Sequence, residues 1–189
     1  MQNNISYKYY FLFLISIFLA NDMLSLEQIY LKLNIDKKII LDTIIVESEN
    51  LVSIGENILG KEIFLTKKCA KAWNEMYNAA INDSIRLSIV SGFRSYNKQY
   101  SIIKNKLNKG MTINNILKEN KLPGLSQHHS GNAIDIISSS HKLSVNFAKS
   151  AAYIWLEKNA NQYGFYLQYP KNTKDNMIFE PWHWYYKEK

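Results

Sequence analysis

The sequence predicts an α+β domain over residues 51–189, a small antiparallel sheet that carries a metal site and is flanked by helices. Three observations predict it. Short stretches at 86–91, 132–137, 165–169 and 182–186 alternate in polarity or are rich in β-branched and aromatic residues, as strands are. Between them run apolar stripes at helical spacing, each preceded by a Thr or Ser that can cap a helix: Thr66, Ser95, Thr112 and Ser144. Of the 189 residues, 47% are hydrophobic and 21% charged, which suits a chain that buries a core. Helices and strands in this mixed order give the α+β class.

Residues 1–21 carry Lys8 and then an apolar run from Tyr9 to Ala20, ended by Asn21 and Asp22. The run is shorter than the ~20 residues of an ordinary membrane-spanning helix. A charged start before a short apolar core is the pattern of an export signal. Phe18 stands where a cleavage site after Ala20 would want a small residue, so the segment is read as a signal peptide or an uncleaved signal anchor. Residues 22–50 form an adapter, in which Ser25 caps a short helix with Leu26, Ile29, Tyr30 and Leu33 inward. Ile39–Leu41 and Ile44–Val46 are apolar but too short to assign.

The domain proper opens near Leu51. Thr66 caps a helix through about Asn82, and Arg86–Ser91 is a strand that Gly92 allows to turn. Ser95 caps a helix to about Leu107, and Thr112 another to Asn120. Pro123-Gly124 breaks the chain ahead of Ser126-Gln127-His128-His129-Ser130-Gly131. Asn132–Ile137 is a strand on which Ala133 and Asp135 share one face while Ile134 and Ile136 enter the core. Ser144 caps a long helix to about Tyr163, closed by Gly164. Phe165–Tyr169 and Trp182–Tyr186 are the last strands.

Charge and cysteine content exclude several classes. The net charge of +7 suits an anionic partner such as a cell wall. The lysines are scattered, and neither a basic cluster nor a nucleic-acid motif is present, so no nucleic-acid partner is expected. Cys69 is the single cysteine, which rules out an intramolecular disulfide and a thiolate-rich zinc site. It falls on the same stripe as Trp73, Met76, Tyr77 and Ala80, a core position.

Chemistry concentrates in two stretches. His128 and Asp135 come from the first, and Glu180-Pro181-Trp182-His183-Trp184 supplies the second. Two imidazoles and one carboxylate on a tetrahedral zinc leave its fourth position open, as catalytic sites do. Glu180 and His183 stand three apart, but Pro181 argues against a helix there, and on a regular strand positions three apart face opposite sides. Both reach one metal only if the chain bends or bulges at Pro181-Trp182.

The pattern S-x-H-x-x-G-x-A-x-D followed by E-P-W-H-W resembles the VanY-type D-alanyl-D-alanine carboxypeptidases, part of the wider group of zinc peptidases that shares the hedgehog-like fold. Ser91-Gly92-Phe93-Arg94-Ser95-Tyr96-Asn97-Lys98-Gln99 is similar to a third family block. Trp155–Ala160 with Tyr163-Gly164-Phe165 is similar to a fourth. The resemblance covers about Leu51 to Tyr186. It implies one Zn2+ per domain, held by His128, Asp135 and His183, with Glu180 as general base and the bend at Pro181 in place. It selects His128 over the adjacent His129 through the alignment of Ser126, Gly131 and Asp135. It places Arg94 beside the developing oxyanion, and Ser126 and Gln99 on the substrate's peptide and terminal carboxylate. His141, in a Ser-rich stretch, is expected at the surface, and Trp182 and Trp184 in the cleft wall or core. Gln168 stands where relatives often carry Arg, which bears on how acidic substrate groups are held. The chain stops soon after the second stretch, where many relatives add a helix, and a less stable or partner-supported domain is one expectation from that.

The resemblance thus implies an exported metallopeptidase of the periplasm or cell envelope, a monomer that removes the terminal D-alanine from peptidoglycan stem peptides. A murein endopeptidase and an inactive zinc-bearing module that binds wall or protein are the alternatives. Intact Glu180 and Arg94 argue against the last.

Overall fold

A computed structural model describes residues 23–35, 44–138, 143–171 and 177–188. The N-terminal apolar run, Ile39–Leu41 and His141 lie outside the described residues. The chain divides into two compact units, residues 1–39 and 40–189. Within the first, helix α1 (Leu26–Leu33) opens on a capping box. The Ser25 side chain accepts the Gln28 N–H while the Gln28 side chain accepts the Ser25 N–H. Among the described residues no helix is long and apolar enough to cross a membrane.

The second unit is the α+β domain. Its sheet has four strands, β3 (Ser88–Ser91), β4 (Ala133–Ile137), β5 (Phe165–Leu167) and β6 (His183–Tyr186), in the order β3-β4-β6-β5 with every pairing antiparallel. One register fixes the site: Asp135 on the central strand lies between Ser91 on one side and His183 on the other. Alternation then sends Ile134, Ile136 and Trp184 into the core and leaves Asp135 and His183 for the opposite face.

Helix α2 (Lys67–Asn82) packs into that core through Cys69, Trp73, Met76 and Ala80, spaced three and four apart. Thr66 caps it by accepting the Cys69 N–H at 3.3 Å. Burial pushes the Cys69 thiol up, so it is an inert packing residue. Helix α3 (Tyr96–Asn108) is capped by Ser95, whose hydroxyl accepts the Lys98 N–H at 3.1 Å.

One element is new and two expectations change. Residues 51–66 form an antiparallel hairpin, β1 (Leu51–Glu56) and β2 (Glu62–Thr66), that the sequence pattern did not reveal. The helix expected from Thr112 to Asn120 is only α4 (Ile113–Ile116). The long helix expected from Ser144 is broken. Val145–Lys149 is a 3-10 turn, Ser150 is extended (ψ 151°), and Ser150 caps α5 (Ala151–Asn159) by accepting the Tyr153 N–H. Ser144 makes no side-chain cap. Gly164 closes the following turn in the left-handed region, at φ 81°.

The stretch before β1 is tied to the domain. Ile45 N–H donates to the Gly124 carbonyl at 2.7 Å and Ser48 N–H to the His129 carbonyl at 2.9 Å. The Tyr96 hydroxyl donates to the Ile45 carbonyl at 2.8 Å, and the Glu47 carboxylate accepts the Tyr96 N–H.

Candidate metal centre

The candidate ligands arrive from three places. Asp135 sits mid-strand on β4, and His183 opens β6 directly across from it. His128 lies in a 3-10 turn, Gln127–Ser130, which ends at Gly131 in the left-handed region at φ 71° and so feeds the chain back into β4. The bend required between Glu180 and His183 is present: residues 181–182 form a turn closed by the His183 N–H on the Glu180 carbonyl at 3.1 Å. A second bond, Glu180 N–H to the Tyr169 carbonyl at 3.1 Å, anchors the turn to the end of the β5 segment.

Hydrogen bonds determine which imidazole nitrogens face the centre. His128 Nδ1 stands 2.6 Å from the Gly92 carbonyl, which can only accept, so Nδ1 carries the proton and Nε2 is a bare lone pair. His183 stands between two acceptors, with Nε2 3.0 Å from Gln127 Oε1 and Nδ1 on the side of Asp135. The two inward nitrogens face the same carboxylate: His128 Nε2 is 3.3 Å from Asp135 Oδ2, and His183 Nδ1 is 3.0 Å from Asp135 Oδ1.

The three residues turn two ring nitrogens and a carboxylate toward one point, a set that a cation between them would satisfy. Their ligand atoms all fall within 4.8 Å of one another, and all three residues are buried. Ligands held at ~2.0–2.2 Å on a tetrahedral zinc stand ~3.3 Å apart, close to the separations seen here. The donor set therefore fits a zinc-sized cation. Burial, with the Arg94 charge, lowers His128 to about 4, so it is neutral and able to ligate at neutral pH.

These groups open onto a cleft of about 470 Å³ that Arg94, Ser126, Tyr169, Glu180 and Trp182 also line. Burial and the Asp135 charge raise the Glu180 carboxyl from 4.5 to about 8, against a lowering pull from Arg94. Arg94 donates from Nη1 to Gln99 Oε1 at 2.8 Å, and from Nη2 to Ser91 Oγ at 3.0 Å and to Asp135 Oδ2 at 3.4 Å. Gln99 is only 1% exposed, and its other amide end donates to the Lys121 carbonyl at 2.6 Å. Both of its polar groups are thus engaged by the protein, and its direct effect is to hold Arg94. Ser126 is buried in the cleft wall. Gln168 donates its backbone N–H to the His183 carbonyl at 3.3 Å and is not among the cleft-lining residues.

His129 turns away from the centre. It accepts the Gly124 N–H on Nε2 at 3.1 Å and donates from Nδ1 to the Arg94 carbonyl, and burial lowers it to about 4. It is a neutral pin between the Arg94 turn and the loop before His128. The sequence reading singled out neither this role, nor Ser91, nor Gln127. Only the strand register and the folded turn bring these residues to their partners.

An antiparallel sheet that aims two imidazoles and a carboxylate at one point, with a raised carboxyl and a guanidinium alongside, defines the class: an α+β domain built around a candidate metal centre. Residues 62–189 match the VanY family, D-alanyl-D-alanine carboxypeptidase, and the chain belongs to that family. It is 37% identical over 131 residues to YodJ of Bacillus subtilis, covering 67% of this chain and 47% of that protein. It is 31% identical over 133 residues to a D-alanyl-D-alanine carboxypeptidase of Enterococcus faecium, covering 68% of this chain and 39% of that one. The chain thus spans less than half the length of either relative.

Among solved structures it is similar to the LdcB LD-carboxypeptidase, with TM-score 0.67 and 34% identity over 74% of this chain and 69% of that one. It is also similar to the D,D-pentapeptidase VanY of a VanB-type vancomycin-resistance cassette, solved with Zn(II). There the TM-score is 0.58 and the identity 25%, over 78% of this chain and 82% of that one.

Proposed function

We propose that this chain is a zinc carboxypeptidase that removes the C-terminal D-alanine from peptidoglycan stem peptides. The observation that carries the proposal is the convergence of His128, Asp135 and His183 beside Glu180 and Arg94 in one cleft. Family membership supports it.

His128 Nε2, Asp135 and His183 Nδ1 would hold one zinc per domain. When bound, zinc supplies a Lewis acid that polarises a carbonyl and makes a water acidic near neutral pH. Glu180, ionised once a cation on the neighbouring ligands offsets burial and the Asp135 charge, takes the proton from the attacking water and delivers it to the departing D-alanine amine. Arg94, braced by Ser91 and Gln99, presents its charge to the developing oxyanion. Ser126 bonds the substrate peptide from the cleft wall. Gln99, expected on the terminal carboxylate, acts instead by orienting Arg94, since its amide is taken up by Arg94 and the Lys121 carbonyl.

The protein acts outside the cytoplasmic membrane, exported to the periplasm or cell envelope by its N-terminal apolar run as signal or anchor, and works as a monomer. The likeness to an LD-carboxypeptidase at 34% identity favours a second bond, the L,D bond left after the first trimming.

The test is digestion of a tetrapeptide stem, a pentapeptide stem and a cross-linked dimer by the zinc-loaded protein, read by mass spectrometry against a chelated control. Loss of one alanine from the pentapeptide alone means D,D specificity, and loss from the tetrapeptide means L,D. Cleavage of the dimer alone would replace the proposal with an endopeptidase. Zinc binding without cleavage would replace it with a binding module.

A further inference from the structure

An imidazole ligates through whichever nitrogen lacks the proton, and the partner of the other nitrogen decides which that is. For His128 the partner is a backbone carbonyl, fixed by the fold. For His183 it is a side chain, Gln127 Oε1, at 3.0 Å from Nε2. The choice matters at this residue. If Nδ1 carried the proton it would donate to Asp135 Oδ1, 3.0 Å away, and the pair would satisfy each other with no room for a cation. The ring plane is set by other contacts. Tyr169 lies against it at a centroid distance of 5.1 Å and 31°, and His128 meets it at 4.9 Å and 66°. These contacts orient the ring but leave its proton free to sit on either nitrogen.

We infer that Gln127 is a positioning residue that holds the His183 proton on Nε2 and so keeps Nδ1 open as a metal ligand. Gln127 is the first residue of the 3-10 turn that carries His128. One turn therefore presents the first ligand and sets the tautomer of the last, 55 positions away in the chain as counted from His128 to His183. Gln127 lines the cleft and is incompletely buried, so replacing it leaves the core packing alone.

The inference rests on the metal reading of the site but not on any peptide being cut. Its test is the zinc dissociation constant of the full chain, measured by competition with a chromogenic chelator, together with the melting temperature of the chelated protein. Gln127→Met keeps the length and removes the acceptor, and Gln127→Glu keeps an acceptor. The expected result is zinc binding about 10–100-fold weaker in Gln127→Met and close to the parent in Gln127→Glu, the range usual for groups that orient metal-bound histidines. The chelated proteins should melt together. Three results would overturn the inference: parental zinc affinity in Gln127→Met, a Gln127→Glu protein as weak as Gln127→Met, or a lowered melting temperature of chelated Gln127→Met that accounts for the loss. A parent chain that binds no zinc would overturn the metal reading as well. A parent that binds zinc in this Gln127-dependent way yet cuts no stem peptide would sink the peptidase proposal alone.

Discussion

The Gly92 carbonyl accepts the Nδ1–H of His128 at 2.6 Å, and it does so from a position with no room for a side chain. A Cβ on Gly92 would stand 2.7 Å from the Phe64 carbonyl oxygen and 2.8 Å from Ile63 Cγ2. The close approach is held by the Phe93 N–H, which donates to that same Phe64 carbonyl at 2.8 Å. The hairpin strand β2 thus fixes the height of the loop that orients His128. Gly92→Ala must push this loop off β2, and overpacking of this kind costs about 1–3 kcal/mol. Urea unfolding of the chelated protein should show that loss, and zinc binding should weaken with it. An Ala variant as stable as the parent would mean that β2 does not brace the loop.

Glu180 gives the metal-free protein a pH dependence of known sign. Its carboxyl is raised from 4.5 to about 8 in the folded state, first by burial and then by the Asp135 charge. Between those values the folded chain holds a proton that the unfolded chain has released, so stability falls as pH rises through the window. The contribution is fully present below 4.5 and lost as pH passes about 8. Melts of chelated parent and chelated Glu180→Gln, compared at about pH 5 and about pH 8.5, should show the parent losing ground to the variant at the higher pH. Parallel behaviour at both would show that Glu180 is not raised.

The strap at residues 44–48 makes a third prediction. The Glu47 carboxylate accepts the first N–H of α3, at Tyr96, next to the Ser95 cap and the Arg94 turn. A carboxylate at a helix N-terminus is worth about 0.3–1 kcal/mol at an exposed site and up to ~2 when partly buried. Glu47→Ala should lower unfolding stability by about 1 kcal/mol on that scale. An unchanged denaturation midpoint would show that the strap lends the α3 terminus nothing.

Local signals made much of this fold legible. Thr66 and Ser95 were readable as caps because an N-cap acts within three residues of itself, and Gly164 because a helix end wants a left-handed residue. The Ile134/Asp135/Ile136 alternation gave the strand faces. Periodicity misread the stretch from Ser144 because Val145, Ala148, Ala152 and Trp155 keep a helix-like spacing across the extended residue Ser150. The hairpin β1–β2 escaped because the outward face of a two-stranded ribbon keeps apolar residues such as Val52 and Phe64, each 37% exposed, which blurs the alternation. At the site, the motif blocks pointed to the ligands, whereas the groups that orient them did not show. Gln127 on His183 and Ser91 on Arg94 are ordinary polar residues in sequence, and only the strand register gives them their partners.

The most direct test of the central claim compares the parent chain and Glu180→Gln, each loaded to the same measured zinc content, for release of free D-alanine from a pentapeptide stem. The turn at Pro181-Trp182 hangs on the backbone of Glu180, not on its carboxylate, so the variant should bind zinc as the parent does. General acid–base help of this kind is worth about 10²- to 10⁴-fold, and the variant should lose activity in that range. Equal release from the two proteins at equal zinc content would contradict the account, because the raised carboxyl in the cleft would then have no part in the chemistry.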